Sequence, residues 1–348
     1  VVTISRTCTI GSAMVFITIL FSGIVSLFVS IAVNVLIDAI RRRVARREKY
    51  LEVNLALLRE VKTNWRALAK MEQLEKTVLE RVLESDILTP KLRKACEQLA
   101  DLVVEYNTNH EERANLCVPL KKLLLDVYSD LKNPTRIGII YSSRYQQATE
   151  GECGHWGIAT PQFFREHFKN YAWLYITPSA FARIRECDIV INPYGEAWVL
   201  EDISDRSILE SCNILQEFWK QGGIWVHTGG YPFHFACDPS GRKQKLLGPR
   251  KRQLGLSFES VSSSSEELPN VSEEVTLLIG EVGFTSVAGY RVCSDANEVW
   301  VRVGNKALVG FKKIGNGGLL FQGALCYEAA EIRQFIIALI HLCALEKL

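Results

Sequence analysis

Two stretches decide the fold: CDIVINPYGEAW at residues 187–198 and QGGIWVHTGGYPF at residues 221–233. Each opens on a short apolar run, Ile189 to Ile191 in the first and Ile224 to Val226 in the second, and each breaks on a turn rich in Pro, Gly and aromatic residues. Short runs that stay apolar on both faces read as strands buried in a parallel sheet. Between them, Ile208 to Lys220 has helical spacing, so the pair reads strand, helix, strand.

The pattern extends outward. RIGIIY (136–141) is an earlier buried strand and AWLYI (172–176) another, with a helix from about Thr160 to Lys169 between them. Alternation of this kind predicts an α/β domain over 134–348, doubly wound around a mostly parallel sheet. Ligands of such sheets lie beyond the carboxyl ends of the strands, which makes the loops after Tyr141, Asn192 and His227 the candidate site. ALVGFKKIGNGGLLFQG (307–323), with Gly-Asn-Gly-Gly (315–318) ahead of a late strand, and an apolar terminal helix complete the series.

This order resembles the class I glutamine amidotransferase-like superfamily over about 135–345. Within it, the chain is similar to branches that are not amidotransferases, such as ThuA-like proteins and the trimerisation domain of certain β-galactosidases. The resemblance implies a flavodoxin-like, amidotransferase-like sheet. It also implies what a working member needs, a Cys on the sharp turn after the strand that here reads IWVH and a late His-x-Glu pair. This chain has Thr228-Gly229-Gly230 at the turn, places Cys237 beyond Pro232, and has His341 as its late His, inside an apolar helix. Lacking a thiolate on the turn and a base within reach, it has no machinery for glutamine hydrolysis. The expectation is a catalytically degenerate domain that serves as a ligand-binding or scaffold module, or as a purely oligomerising face.

Candidate ligand-binding residues are Tyr194, Gly195, Glu196, Thr228, Gly229, Gly230 and Tyr231. Glycines after a strand let main-chain N–H groups face a ligand, and Tyr194, Trp198 and Tyr231 are either a stacking floor or core. The alternative is a hydrolase of another class, drawn from Cys153, His155, His227 and Glu196, since His supplies a base and Cys a soft nucleophile. The plain reading of the same four is polar loop residues with one His at a strand end. No metal-ligand spacing, P-loop, GxGxxG fingerprint or HExxH occurs, so neither a metal nor a cofactor is expected.

Upstream, no charged residue lies between Arg6 and Asp38, and the stretch from Ile10 to Ile37 is long enough to span a bilayer as a helix. Arg41, Arg42, Arg43, Arg46, Arg47 and Lys49 follow it, against Arg6 before it. The positive-inside bias then predicts a single-pass anchor over 1–40 in the cell membrane, N-terminus outside and the rest cytoplasmic. Residues 41–133 read as a helical stalk: Leu51, Leu55, Leu58, Val61, Trp65, Leu68, Met71, Leu74 and Val78 form one stripe, and Thr89-Pro90 a stop and restart. The stripe is covered either by an intramolecular bundle or by a second copy in a coiled coil, so a homo-oligomer stays among the expectations.

The 348 residues hold 41 Lys and Arg against 39 Asp and Glu, a net charge of +2 that gives no global attraction to nucleic acid, and no nucleic-acid-binding motif occurs. Partners are therefore the bilayer, through residues 10–37, and a small polar ligand or a protein. The ten cysteines show no CxxC pair and read as reduced, mostly buried thiols. The basic run from Arg242 to Arg252 reads as a solvated loop, with anionic headgroups as the alternative partner.

Overall fold

The computed structural model describes residues 7–85, 88–131, 133–149, 157–246, 253–262, 269–273, 275–276, 282, 289–324 and 330–347. Side chains are described from Val33 on, those of 330, 331 and 347 excepted. Residues 1–55 and 56–348 form two compact units.

Helix α1 (Thr7–Ala69) is followed by α2 (Thr77–Leu83), α3 (Pro90–Thr108) and α4 (Arg113–Asp130). Among the described residues no helix is long and apolar enough to cross a membrane; most of the 10–37 stretch lies outside the residues whose side chains are described. The stripe expected to run unbroken to Val78 stops at Ala69. Met71 turns the chain at φ +57°, and the Glu60 carboxylate accepts the Val78 and Leu79 N–H groups at 2.6 and 2.9 Å, capping α2 from the side of α1. Leu58, Val61, Trp65 and Leu68 are buried within the chain, whereas Leu51 and Leu55 are exposed. The restart at Thr89 follows the expected chemistry: its hydroxyl accepts the Leu92 N–H at 3.3 Å, and Pro90 fills the first turn, where a donor would be idle.

Past α4 come β1 (Asn133–Ile140), α5 (Ser143–Ala148), α6 (Pro161–His167) and β2 (Tyr171–Ile176), then a 3₁₀ segment (Pro178–Glu186). The series continues with β3 (Ile189–Asn192), β4 (Ala197–Val199), α7 (Asp205–Lys220), β5 (Ile224–His227), β6 (Phe235–Cys237) and β7 (Lys243–Lys245). Strands β8 (Phe258–Val261), β9 (Asn270–Val271), β10 (Tyr290–Cys293), β11 (Glu298–Val303), β12 (Lys306–Ile314) and β13 (Gly317–Gln322) precede the final helix α8 (Ala330–Lys347).

The main sheet runs β2-β1-β3-β5-β13-β12-β10-β8. Its first five strands are parallel, as expected from the sequence. The other half differs from that expectation: β13 is the return arm of an antiparallel hairpin with β12, and the sheet continues antiparallel through β10 to β8. The hairpin turns at Gly315 (φ +65°), and Asn316 donates to the Lys220 carbonyl at 3.0 Å, fastening the turn to the end of α7. The row Gly138, Val190, Trp225, Leu319 is in register across four strands, and its last three side chains join α7 residues Ile208, Cys212, Leu215 and Phe218 in one buried core. A side chain at Gly138 would collide with Ile176 and Cys187, so the close approach there requires glycine. On α8, His341 takes a 2.6 Å hydrogen bond with the Tyr171 hydroxyl, and α8 packs on α4.

Part of the basic run is ordered: Lys243–Lys245 pairs antiparallel with β6, and Arg242 binds Asp238 at 2.6 Å. Residues 247–252 lie outside the described residues. The seven described cysteines whose side chains are placed are free thiols, all buried except the half-buried Cys117.

Candidate functional site

The carboxyl ends of β1, β3, β5 and β13 meet at one corner, organised by side chains that pin main chain. Asn192 donates to the Ala197 and Gly195 carbonyls at 2.9 and 3.3 Å and accepts the Tyr194 N–H, which folds the Pro-Tyr-Gly turn back over its strand with Gly195 at φ +54°. The Tyr194 hydroxyl accepts the Ser142 N–H at 2.8 Å, tying this turn to the end of β1. Tyr194 and Trp198 are fully buried and belong to the core, so neither provides a stacking floor.

Thr228 donates to the Asn192 carbonyl at 2.8 Å, and Gly157 donates its N–H to Pro193 at 2.8 Å. A Cβ on Gly157 would stand 1.8 Å from the Thr228 hydroxyl, so only glycine brings these loops together. A Cβ on Gly229 would lie 3.3 Å from the Ala324 carbonyl and 3.7 Å from the Gln322 side-chain oxygen. Gly229 therefore packs closely against the end of β13, where even one added carbon would be tight. Gly230, at φ +75°, sits against the Glu196 side chain, whose Oε1 accepts the Tyr231 N–H at 2.8 Å. Arg291 of β10 approaches Glu196 at 3.7 Å and lies over the Tyr231 ring at 4.8 Å, while His234 stacks on that ring at 5.1 Å. These groups form a latch that holds the loop after β5 against β10.

Two buried groups at this corner are incompletely partnered. His227 has no solvent exposure, and desolvation pulls its pKa down to about 4 against weaker support from the Gly230 and Gly229 main chain. Its Nε2 lies 3.2 Å from the Gly230 carbonyl, so Nε2 carries the proton and Nδ1 is an acceptor with no partner. Gln322 is also fully buried, and among the described residues neither its amide nitrogen nor its amide oxygen has a hydrogen-bond partner, as is true of the buried Asn54 amide. Orphaned side-chain amides of this kind are rare in folded interiors.

The hydrolase set does not come together among the described residues. Cys153 and His155 lie outside them, Glu196 is engaged by Tyr231 and Arg291, and His227 makes no hydrogen bond to a Ser, Thr or Cys. Cys237 is buried in β6, and burial pushes its thiol up to about 11, far from a thiolate at neutral pH. Sequence reasoning missed Asn192, Arg291 and Gln322. Asn192 and Gln322 each left a trace, as the amide that ends an apolar run, Ile189-Val190-Ile191 in one case and Leu319-Leu320-Phe321 in the other. A separate cavity of about 270 Å³ opens at the other end of the sheet, lined by Gly222, Ile224, Glu298, Phe311 and Lys313 among others.

No protein-family model matches the chain, and no curated protein matches it. Among solved structures it is similar to a cold-adapted β-galactosidase from Rahnella sp. R3, at 15% identity and a TM-score of 0.37. A β-galactosidase from Bacillus circulans sp. alkalophilus is similar at 12% identity and a TM-score of 0.30. Each alignment covers 68% of this chain and 35% of the β-galactosidase chain, so this chain matches only about a third of each enzyme's length.

Proposed function

We propose that this protein is a membrane-tethered binding module, whose amidotransferase-like α/β domain holds a small uncharged polar ligand at the strand-end corner and performs no glutamine hydrolysis. The observation that carries the reading is the buried Gln322 amide next to Gly229, whose donor and acceptor have no partner among the described residues. Burying an amide without partners costs on the order of 1–3 kcal/mol, which a ligand presenting a matching acceptor and donor would recover. An uncharged ligand fits best because His227 is neutral and Glu196 and Arg291 offset each other's charge. Desolvating a carboxylate or phosphate at this corner would need a free cation.

The tether rests on the uncharged stretch from Ile10 to Ile37 and on the exposure of Val33, Val35, Leu36, Ile37 and Ile40 at its carboxyl end, next to the arginine cluster. The C-terminal unit then lies on the cytoplasmic side.

The test is a thermal-shift screen of the full chain in detergent against uncharged metabolites, repeated with Gln322→Leu. A compound that raises the melting temperature of the parent and not of the variant supports the proposal. If Gln322→Leu by itself lowers the melting temperature by several degrees, the amide serves folding and the reading fails. Protease digestion of the C-terminal unit on intact, right-side-out cells would overturn the orientation.

A further inference from the structure

We infer that β2 is the pairing edge of a two-fold homodimer. β2 ends the main sheet and pairs, among the described residues, only with β1. Its direction can be read from two hydrogen bonds: Ile176 presents its carbonyl to Tyr141 of the β1 side, and Asn170 presents its carbonyl to Asn133. Main-chain groups alternate along a strand, so residues 172, 174 and 176 face β1, while Trp173 and Tyr175 turn their N–H and C=O groups away from the sheet.

Natural sheets guard such an edge with charge, proline, bulges or a covering element. At the far edge, Glu259 of β8 is ion-paired to Lys306. Within Tyr171–Ile176, β2 carries neither charge nor proline, its one ladder irregularity lies at its start opposite Asn133–Arg136, and among the described residues no strand covers its outer edge. Its sequence, YAWLYI, is uncharged, free of proline and rich in β-forming aromatics, and Trp173 is 38% exposed.

What fits this edge is the same edge of a second copy. An antiparallel pair centred on Leu174 sets Trp173 opposite Tyr175 of the other copy, twice, and each opposed pair exchanges both of its outward N–H···O=C bonds. Trp173 and Tyr175 share one face of the strand and already meet edge-on at 5.3 Å, so the pairing assembles four rings in one cross-strand cluster. Tyr141 stacks on Tyr175 at 4.7 Å and Arg165 lies 5.9 Å over Trp173, extending the cluster on each copy. No charge within 171–176 opposes self-pairing. The two-fold axis also consumes both edges, so the assembly closes at two copies instead of growing into a fibre.

The test uses the full chain in detergent, with mass measured by light scattering over a range of concentrations and cysteine cross-linking under mild oxidation. The parent is expected to show a concentration-dependent dimer, since two short strands make a small interface. Trp173→Pro keeps the β1 ladder, because that N–H points outward, and should raise the dimer dissociation constant at least tenfold. Leu174→Cys should cross-link across the axis well above the parent background, whereas Trp173→Cys, facing Tyr175, should not. A monomer at every concentration, a dimer unchanged by Trp173→Pro, or equal cross-linking at 173 and 174 would each overturn the inference. Should Trp173→Pro fail to fold, the cross-linking contrast alone decides.

Discussion

His341 and His227 are both buried, and loss of solvent holds both near a pKa of about 4, yet their surroundings differ. His341 sits in a closed corner: its Nδ1 meets the Tyr171 hydroxyl at 2.6 Å, and the rings of Phe168 and Tyr171 lie 5.2 and 5.5 Å away. His227 sits in one left open in its hydrogen bonding: among the described residues Nδ1 has no partner, and neither has the Gln322 amide at the end of the adjacent strand. Burial alone therefore does not separate a structural polar group from a functional one. What differs is the hydrogen bonding: among the described residues His341 has a partner at Nδ1 and His227 has none, and an unsatisfied buried group lowers stability for as long as nothing binds it.

The largest effect expected from this comparison is on acid stability, where the two corners should behave alike. An unfolded chain protonates each imidazole near pH 6.5, while the folded chain resists until about pH 4. Between those values the unfolded state binds more protons, so stability is whole above pH 6.5 and falls as the pH drops towards 4. Each histidine should remove about 3 kcal/mol over that window. Urea unfolding of the full chain at pH 7, 6 and 5 measures it, and a midpoint that stays flat would show that the rings are not held neutral by the fold.

Next in size is the strain test at the open corner. Gly230→Ala forces a side chain into φ +75° and against Glu196, with an expected loss of about 1–3 kcal/mol and a loosened contact between Arg291 and Tyr231. At Gly222, φ +90°, an added Cβ would meet only the Asn316 carbonyl, at 3.9 Å, so Gly222→Ala isolates the backbone part of the cost.

Tyr171→Phe removes the partner of His341 and should cost about 1–2 kcal/mol in chemical denaturation, since a buried ring nitrogen loses its hydrogen bond. Gln322→Leu is the counterpart at the open corner and should change ligand-free stability by less than about 1 kcal/mol, in either direction, because no protein hydrogen bond is lost. Equal losses in these two variants would erase the distinction between the corners.

Much of the parallel half of the sheet was legible because buried strands announce themselves as apolar runs with turn residues at their ends. Ile189 to Ile191, Ile224 to Val226 and the α7 spacing needed no knowledge of partners. The antiparallel half was not, since the pairing of β12 with β10 and β11 is set by contacts between distant segments that leave no local period. The Gly-rich turns after β3 and β5 stand out in the sequence as positions without side chains, and in the structure Gly195 and Gly230 adopt positive φ there. Glu196 was placed near the site but assigned the wrong company, because its partner Arg291 lies 95 positions away by numbering (291 minus 196) and carries no motif. For Tyr194 and Trp198 the sequence allows either a stacking floor or core, and their full burial makes them core.

Helix α8 bears on how the chain is made. It comes after every other described element, yet it supplies the partner of Tyr171 and lies against α4, which is translated long before it. During synthesis both surfaces must wait, with Tyr171 lacking this partner and the part of α4 not covered by α3 exposed, until α8 emerges. Ribosomes that stall or terminate ahead of Ala330 would release a product with its sheet in place and one flank bare, the kind of species that quality-control proteases and chaperones engage.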